Sequence, residues 1–157
     1  MVFISLGSWQ LIRLNWKLEL ISEIENSINS EHVDFSGENP KNFKKVNFRA
    51  SLNNSRLIYL YSLNESGKPG FDIINTIIIG NKNFLLNRGW IPKNFKNKNF
   101  DISTPNLKGI LRKKSNKNYF KPENDISKNY WFTLKDEDLL KFTGKKFSNY
   151  IIYETHD

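Results

Sequence analysis

The first part of the chain has a hydrophobic pattern typical of a helix. Between Leu6 and Asn29, apolar side chains recur every three or four residues, and neither Gly nor Pro interrupts the run after Gly7. The repeat consists of Trp9, Ile12, Trp16, Leu20 and Ile24. This spacing predicts one continuous helix over residues 6–29.

A different pattern follows. Residues 30–45 are polar and contain Gly37 and Pro40, which predicts a loop. Beyond it, short apolar or alternating runs are separated by turn residues, as in paired strands. The predicted strands are 46–52, 56–63, 71–79, 84–91, 107–112 and 147–153, with a further candidate at 130–133. The Gly/Asn-rich turn at 80–83 predicts an antiparallel hairpin.

A second, short helix is expected near the end of the chain. Residues 133–136 resemble a capping box, Gly144 follows the predicted end, and the predicted buried side consists of Leu139, Leu140 and Phe142. The order of elements predicts an α+β fold. We expect an N-terminal helix, then an antiparallel β-meander or partly closed barrel with one short later helix.

The composition narrows the possible functions. A length of 157 residues suits one domain, and the absence of cysteine excludes disulfides, thiolate metal sites and cysteine nucleophiles. His32 and His156 lack neighbouring ligands at metal-binding spacing, so we expect no metal site. The acidic run 136–138 is better explained by the dipole at a helix N-terminus than by catalysis. With no catalytic motif, we expect a protein that is not an enzyme.

The net charge of +8 is concentrated in the middle of the chain. Residues 41–121 carry a net +14, whereas residues 1–40 carry −4 and residues 122–157 carry −2. Such a block could contact nucleic acid, anionic lipid or an acidic protein. The alternative is a solvated Lys- and Asn-rich surface that reflects the codon usage of an A+T-rich genome.

The segment Asn87–Pro92 (NRGWIP) is the most informative short motif. Gly89 permits an unusual backbone angle or a close approach, Trp90 offers a large area for burial, and Pro92 ends strand pairing. Arg88 either pairs with a carboxylate inside the domain or faces a partner.

The chain begins with seven apolar or uncharged residues, fewer than the ~20 that cross a bilayer. They are typical of the last turns of a membrane helix. Trp9 and Trp16 would then lie at the interface, with Arg13 and Lys17 extending from one face. The alternative is an amphipathic helix packed on a soluble core.

Several segments together resemble the Surfeit-locus-protein-one family. Residues 7–17 are similar to its Gly-x-Trp-Gln-x-x-Arg-x-x-Trp-Lys motif at the end of the first membrane helix. Residues 68–71 and 84–92 resemble its Asn-Arg-Gly-Trp hairpin, and residues 108–112 its Gly-x-Leu-Arg strand. Residues 120–132 fit the segment that follows. The similar segments occur in the family order over residues 6–145.

This resemblance implies a membrane-anchored assembly factor for cytochrome c oxidase that helps to insert haem a into subunit I. Its partners would be subunit I, other assembly factors and the membrane, but not nucleic acid. Residues 1–29 would be the end of a membrane helix and its continuation, and residues 30–157 an extracytoplasmic β-rich domain. That domain would face the periplasm from a bacterial inner membrane, or the intermembrane space from the mitochondrial inner membrane.

The resemblance also indicates contact residues, without a catalytic or metal-binding role. These are Trp9, Gln10, Arg13, Lys17, Asn87, Arg88, Gly89, Trp90 and Pro92. The family's suspected haem contact is a His in a second membrane span, which we expect this chain to lack together with most of the first span. Any binding of haem a would be transient, and its residues are unknown.

A basic β-rich domain that binds nucleic acid is the alternative function. Aromatic residues on the predicted strands, amid Lys and Arg, could stack on the bases of a single strand. They are Phe48, Tyr59, Tyr61, Phe84 and Trp90. Aromatic residues on strands also commonly form the core.

Overall fold

The computed structural model describes residues 2–52, 56–96, 106–115 and 120–155, and it divides into two compact units. The first, up to Glu31, contains helix α1 (Val2–Ile28), which confirms the predicted helix. Eight large apolar side chains of α1 are exposed, from 50% at Ile21 to 69% at Ile12, whereas Leu20 and Ile24 are partly buried. In the described part of the chain, no helix combines the length and the apolar character needed to cross a bilayer.

The second unit, from His32 onwards, is described as a sheet with one α-helix and a short 3-10 helix (Lys93–Phe95). Its described strands are β1 (Val33–Asp34), β2 (Lys45–Arg49), β3 (Ser51–Leu52), β4 (Ile58–Leu63), β5 (Pro69–Ile79), β6 (Lys82–Pro92), β7 (Asn106–Lys113) and β8 (Tyr150–Glu154). Helix α2 (Asp136–Thr143) lies between β7 and β8 in sequence. The predicted strands are thus present, and β1 adds a short strand within the predicted loop 30–45.

The strand order across the sheet is β1-β2-β7-β8-β6-β5-β3, with β4 also paired to β5. The hairpin of β5 and β6 is antiparallel, as predicted. However, β8 lies parallel to β6 and antiparallel to β7, and β1 lies parallel to β2. The α+β class is confirmed, and within it the sheet is mixed and not a simple antiparallel meander.

The sheet curls because one stretch of chain supplies β3 at one end of the sheet and β2 next to the other end. β2 pairs with β7 and β3 pairs with β5, yet only Ala50 separates β2 from β3. Within the described residues, the strands do not close into a complete barrel. The concave side is filled by one apolar cluster, which contains Phe35, Val46, Phe48, Ile77, Ile79, Phe84, Leu86, Leu107, Leu111 and Ile152.

A second apolar cluster lies on the other face of the sheet. It consists of Ile58, Ile74, Leu85, Trp131, Leu139 and Ile151. Trp131 is fully buried, and its backbone forms hydrogen bonds with Tyr59 and Tyr61 of β4. The candidate strand at 130–133 is therefore reduced to two isolated bridges, from Trp131 to Leu60 and from Tyr130 to Asp125.

The start of α2 differs from the sequence prediction. The helix begins at Asp136, and its N-cap residue Lys135 makes no side-chain capping bond, so the capping box at 133–136 is wrong. The reason is a competing contact: Oδ1 of Asn124 accepts hydrogen bonds from the backbone N–H groups of Phe132 and Thr133. These bonds fix the chain before the helix starts.

The far end and the buried side of α2 follow the prediction in part. Gly144 ends the helix with a φ of +72°, as the sequence indicates. Leu139 is fully buried and Phe142 packs against the second cluster. The prediction that Leu140 is buried is wrong: it is 42% exposed, because it lies about 100° around the helix axis from Leu139.

The packing of β5 makes a direct prediction. Ile77 is 1% exposed in the concave cluster, whereas the next residue, Ile78, is 39% exposed. Ile77→Ala should lower the free energy of unfolding by about 2–5 kcal/mol, because it removes buried methyl groups and leaves a cavity. Urea unfolding followed by circular dichroism measures this.

The matched control is Ile78→Ala, which removes the same atoms from the same strand. We expect a loss of less than about 1 kcal/mol at this exposed position. Equal losses for the two variants would contradict the assignment of the concave core.

Candidate functional site

The segment Asn87–Trp90 forms a bulge near the end of β6. Asp72 pairs with Trp90 and Ile74 pairs with Asn87, so two residues of β6 lie opposite one residue of β5. Gly89 adopts a φ of +106°, which a side chain would strain. Its N–H donates a 2.9 Å hydrogen bond to Oδ1 of Asn87. The Asn-x-Gly spacing therefore builds the bulge locally.

Arg88 uses its position in the bulge to reach a carboxylate inside the domain. Its Nε lies 3.1 Å from Oε2 of Glu154 on β8, and the two side chains are only 16% and 7% exposed. Of the two roles that the sequence left open, the structure therefore shows internal pairing. This ion pair continues the parallel pairing of β6 with β8, whose last backbone pair is Asn87 with Tyr153.

Trp90 connects the bulge to the neighbouring strands. Its Nε1 donates a 3.3 Å hydrogen bond to the carbonyl oxygen of Ser62 on β4. Its ring covers Gly70 of β5 so closely that a Cβ atom there would lie 2.4 Å from a ring carbon. Pro92, opposite Gly70 at the end of β6, is exposed. Trp90 thus holds β4, β5 and β6 together, and Gly70 is required for that contact.

Asp72 lies beside the same bulge. Its carboxylate accepts a 3.3 Å hydrogen bond from Nδ2 of Asn87. Burial raises the pKa of Asp72 above its usual value, although hydrogen bonds from Asn87 and Ser62 act in the opposite direction. The bulge therefore contacts one tightly paired carboxylate, Glu154, and one carboxylate, Asp72, whose pKa is raised by burial.

The N-terminal candidates lie on α1, in the first unit. Trp9, Gln10, Arg13 and Lys17 are all exposed. The guanidinium of Arg13 lies 5.3 Å from the centre of the Trp9 ring, a cation–π contact between residues one helical turn apart. This contact holds the two side chains on one face of the helix and leaves that face available to a partner or a lipid headgroup.

The aromatic residues invoked for nucleic-acid binding are mostly in the core. Phe48 and Phe84 belong to the concave cluster, and Tyr59 is 4% exposed. Tyr61 packs against Tyr130 with ring centroids 6.1 Å apart. Since buried rings cannot stack on bases, the structure removes much of the support for this alternative.

His32 is half-buried, and His156 lies outside the described residues. Across residues 2–52, 56–96, 106–115 and 120–155, no group of three His, Asp or Glu side chains is arranged to hold a metal ion. The acidic run 136–138 does form the first turn of α2, and Asp136 binds Lys114 at 2.5 Å.

Sequence reasoning missed the carboxylates of the bulge. Glu154 lies 66 residues from Arg88, and Asp72 lies 15 residues from Asn87. The signal in the sequence was that each acidic residue lies in or next to a run of apolar strand residues. Burying a carboxylate there without a partner would cost free energy. That signal indicates a partner but does not say which one.

The ion pair of Arg88 with Glu154 predicts that removing one of the two charges destabilises the fold more than removing both. Arg88→Met should lower the free energy of unfolding by about 3–5 kcal/mol, because Glu154 then remains buried without its counter-charge. The double variant Arg88→Met/Glu154→Leu should recover at least half of that loss, since no charge is left buried. Urea unfolding of the wild type and the two variants measures both effects. A double variant no more stable than Arg88→Met would contradict this assignment.

Asp72 predicts a dependence of stability on pH. Because its pKa is raised in the folded state, the folded protein binds the proton more tightly, and stability falls as the pH rises through that pKa. Asp72→Asn has no charge to bury, so it should melt at a higher temperature than the wild type at pH 7. Thermal melts from pH 7 down to pH 4 should show this difference shrinking. A difference in melting temperature that grows as the pH falls would contradict a raised pKa of Asp72.

Comparison with known proteins places the motifs in a family. The model of the SURF1 family matches residues 1–156. Surfeit locus protein 1 of the mouse is 28% identical over an alignment of 165 positions. The alignment covers 88% of this chain and 54% of the mouse protein. A SURF1-like protein of Rickettsia conorii is 29% identical over 168 residues, covering 99% of this chain and 68% of that protein.

The chain therefore spans about half the length of the mouse relative and about two thirds of the Rickettsia relative. Surfeit locus protein 1 of the chicken shows the same proportion, with 26% identity and 53% of its length matched. The motif segments on α1 and at the bulge both lie within the matched residues. From the match over nearly its whole length, we conclude that the chain belongs to the SURF1 family.

Proposed function

We propose that this chain acts in the assembly of cytochrome c oxidase, as a factor that helps to insert haem a into subunit I. The observation that carries the proposal is the family match over residues 1–156. The role follows from what the family resemblance implies, with haem a as the cargo and subunit I and other assembly factors as the partners. In this proposal the protein is not an enzyme.

The geometry of the bulge supports a scaffolding role for the motif Asn87–Trp90. Arg88 is engaged with Glu154, and Trp90 is engaged with Ser62 and Gly70, so both side chains support the sheet. Gly89 is exposed at the apex of the bulge. The motif thus fixes the shape of a small exposed surface, through which the domain would contact subunit I.

The exposed character of α1 supports a membrane-proximal role. Eight of its large apolar side chains are at least half exposed, and Trp9 and Arg13 present one joint face. Trp and Arg side chains suit the interface between headgroups and hydrocarbon. We propose that α1 lies at the bilayer and that the second unit faces the periplasm or the mitochondrial intermembrane space. No residue is assigned as a ligand of haem a.

A deletion strain tests the proposed function. Deleting the gene should lower both the haem a content of membranes and the activity of cytochrome c oxidase, and the wild-type gene should restore both. Subunit I should still be made but carry less haem a, because the proposed step follows its synthesis. Pyridine haemochrome spectra and oxygen uptake measure these quantities. A deletion strain with normal haem a and normal oxidase would overturn the proposal.

Complementation with variants then tests the two motifs. Arg88→Met should restore less activity than the wild type, with less of the protein present, because the fold is weakened. Arg13→Gln should leave the protein folded but reduce its function at the membrane. The matched control on the same helix is Glu23→Gln, which also removes one exposed charge and should complement fully.

A further inference from the structure

A cleft in the second unit combines an apolar floor with a basic rim. It has a volume of about 370 Å³. It lies where the end of β7 approaches β8, β4 and the segment before α2. The residues that line it are Asn42, Phe43, Leu60, Arg112, Lys113, Lys114, Ser115, Lys121, Phe132, Thr133, Leu134, Ile151 and Tyr153. This size lies within the usual range for small-ligand sites.

The floor of the cleft is a continuation of the second apolar cluster. Ile151 belongs to that cluster, and Leu60, Leu134 and Tyr153 pack against it. Phe132 adds an aromatic ring at the side. An apolar group that entered the cleft would therefore leave water and contact side chains already held in place by the core.

The rim carries four basic side chains, and none of the described residues that line the cleft is acidic. Lys114 is already paired with Asp136 at 2.5 Å. Arg112, Lys113 and Lys121 have no carboxylate partner among the described residues. The field at the mouth of the cleft is thus positive and favours an anion.

Arg112 is held in position by two rings. Its guanidinium lies 5.8 Å from the centre of Phe43 and 5.2 Å from the centre of Tyr153. Both rings also line the cleft. Cation–π contacts leave the N–H donors at the edge of the guanidinium free for a carboxylate or a phosphate.

Thr133 provides an independent sign of a ligand. Its hydroxyl oxygen is buried and has no hydrogen-bond partner in the described structure, although the residue lines the cleft. A buried hydroxyl without a partner is costly, so such groups are normally satisfied by protein, water or ligand. A polar atom of a bound molecule would satisfy it here.

A second cleft adjoins the first, because Lys121 and Phe132 line both. It has a volume of about 420 Å³, and its other lining residues are Tyr61, Lys93, Pro122 and Tyr130. Aromatic rings and another lysine therefore extend the same combination of apolar and basic surface. The adjoining clefts provide room for an aromatic or aliphatic body beside the anionic group.

We propose that this cleft binds a small amphiphilic anion, an apolar or aromatic body that carries a carboxylate or a phosphate. The anionic group would contact Arg112 and Lys121, and the body would lie on the apolar floor. The inference rests on the cleft itself and does not depend on the role in oxidase assembly.

Titration of the full chain with phenyl phosphate, followed by amide NMR spectra, tests the proposal. Saturable shifts should appear at residues 112–115, 121 and 132–134. Benzoate should shift the same amides, which shows whether a carboxylate replaces the phosphate. Inorganic phosphate and phenol should each bind at least ~tenfold more weakly, because each satisfies only one half of the site. Equal binding of inorganic phosphate would overturn the role of the apolar floor.

Variants make the test specific. Lys121→Gln should raise the Kd for phenyl phosphate ~fivefold, because one rim charge is lost. The control Lys141→Gln makes the same charge change on an exposed part of α2 and should leave the Kd unchanged. Thr133→Val should raise the Kd about threefold without lowering the melting temperature, since its hydroxyl has no partner to lose. No saturable shifts at the cleft, or equal Kd values for the two lysine variants, would overturn the proposal.

Discussion

The second unit depends on the insertion of β8 between β6 and β7. Without β8, the described strands form two hydrogen-bonded groups, β1-β2-β7 and β6-β5 with β3 and β4. The Arg88–Glu154 pair fixes the position of β8 beside β6, where both charges are largely removed from water. A buried ion pair of this kind favours one register of β8 over the others, because a shifted strand would leave a buried charge unpaired.

The same insertion determines where the candidate surfaces lie. Ile152 of β8 fills the concave core, while Ile151 and Tyr153 form part of the opposite face. Tyr153 also supports Arg112 at the basic cleft. The exposed bulge, the apolar core and the proposed anion site therefore share one short strand, and a change in its register would affect all three.

Local patterns predicted the elements but not their non-local contacts. The hairpin of β5 and β6 was predictable because β-branched runs flank a Gly/Asn turn. The parallel pairing of β6 and β8 was not, since nothing near Asn87 identifies Tyr153 as its partner. The start of α2 was misplaced for a similar reason: Asn124 binds the backbone at Thr133 and displaces the local capping signal.

The candidate site was likewise predictable in its local features but not in its long-range contacts. The sequence left two alternatives open at each position: an unusual backbone angle or a close approach at Gly89, and an internal carboxylate or an external partner for Arg88. The structure shows φ +106° at Gly89 and Glu154 beside Arg88. The basic cleft was not foreseen. Its residues come from β4, β7, β8 and the loops before β2, after β7 and before α2, so no single stretch of sequence carries the pattern.

The position of β8 also has a consequence for biosynthesis. During translation, β6 and β7 emerge well before β8 (residues 150–154), which pairs with both of them. Until β8 is made, each of these two strands therefore has one unpaired edge. Unpaired edges are the points at which strands of different chains associate. Until β8 has been made, the sheet is incomplete. We therefore expect the growing chain to remain unfolded, or to be bound by a chaperone, until that point.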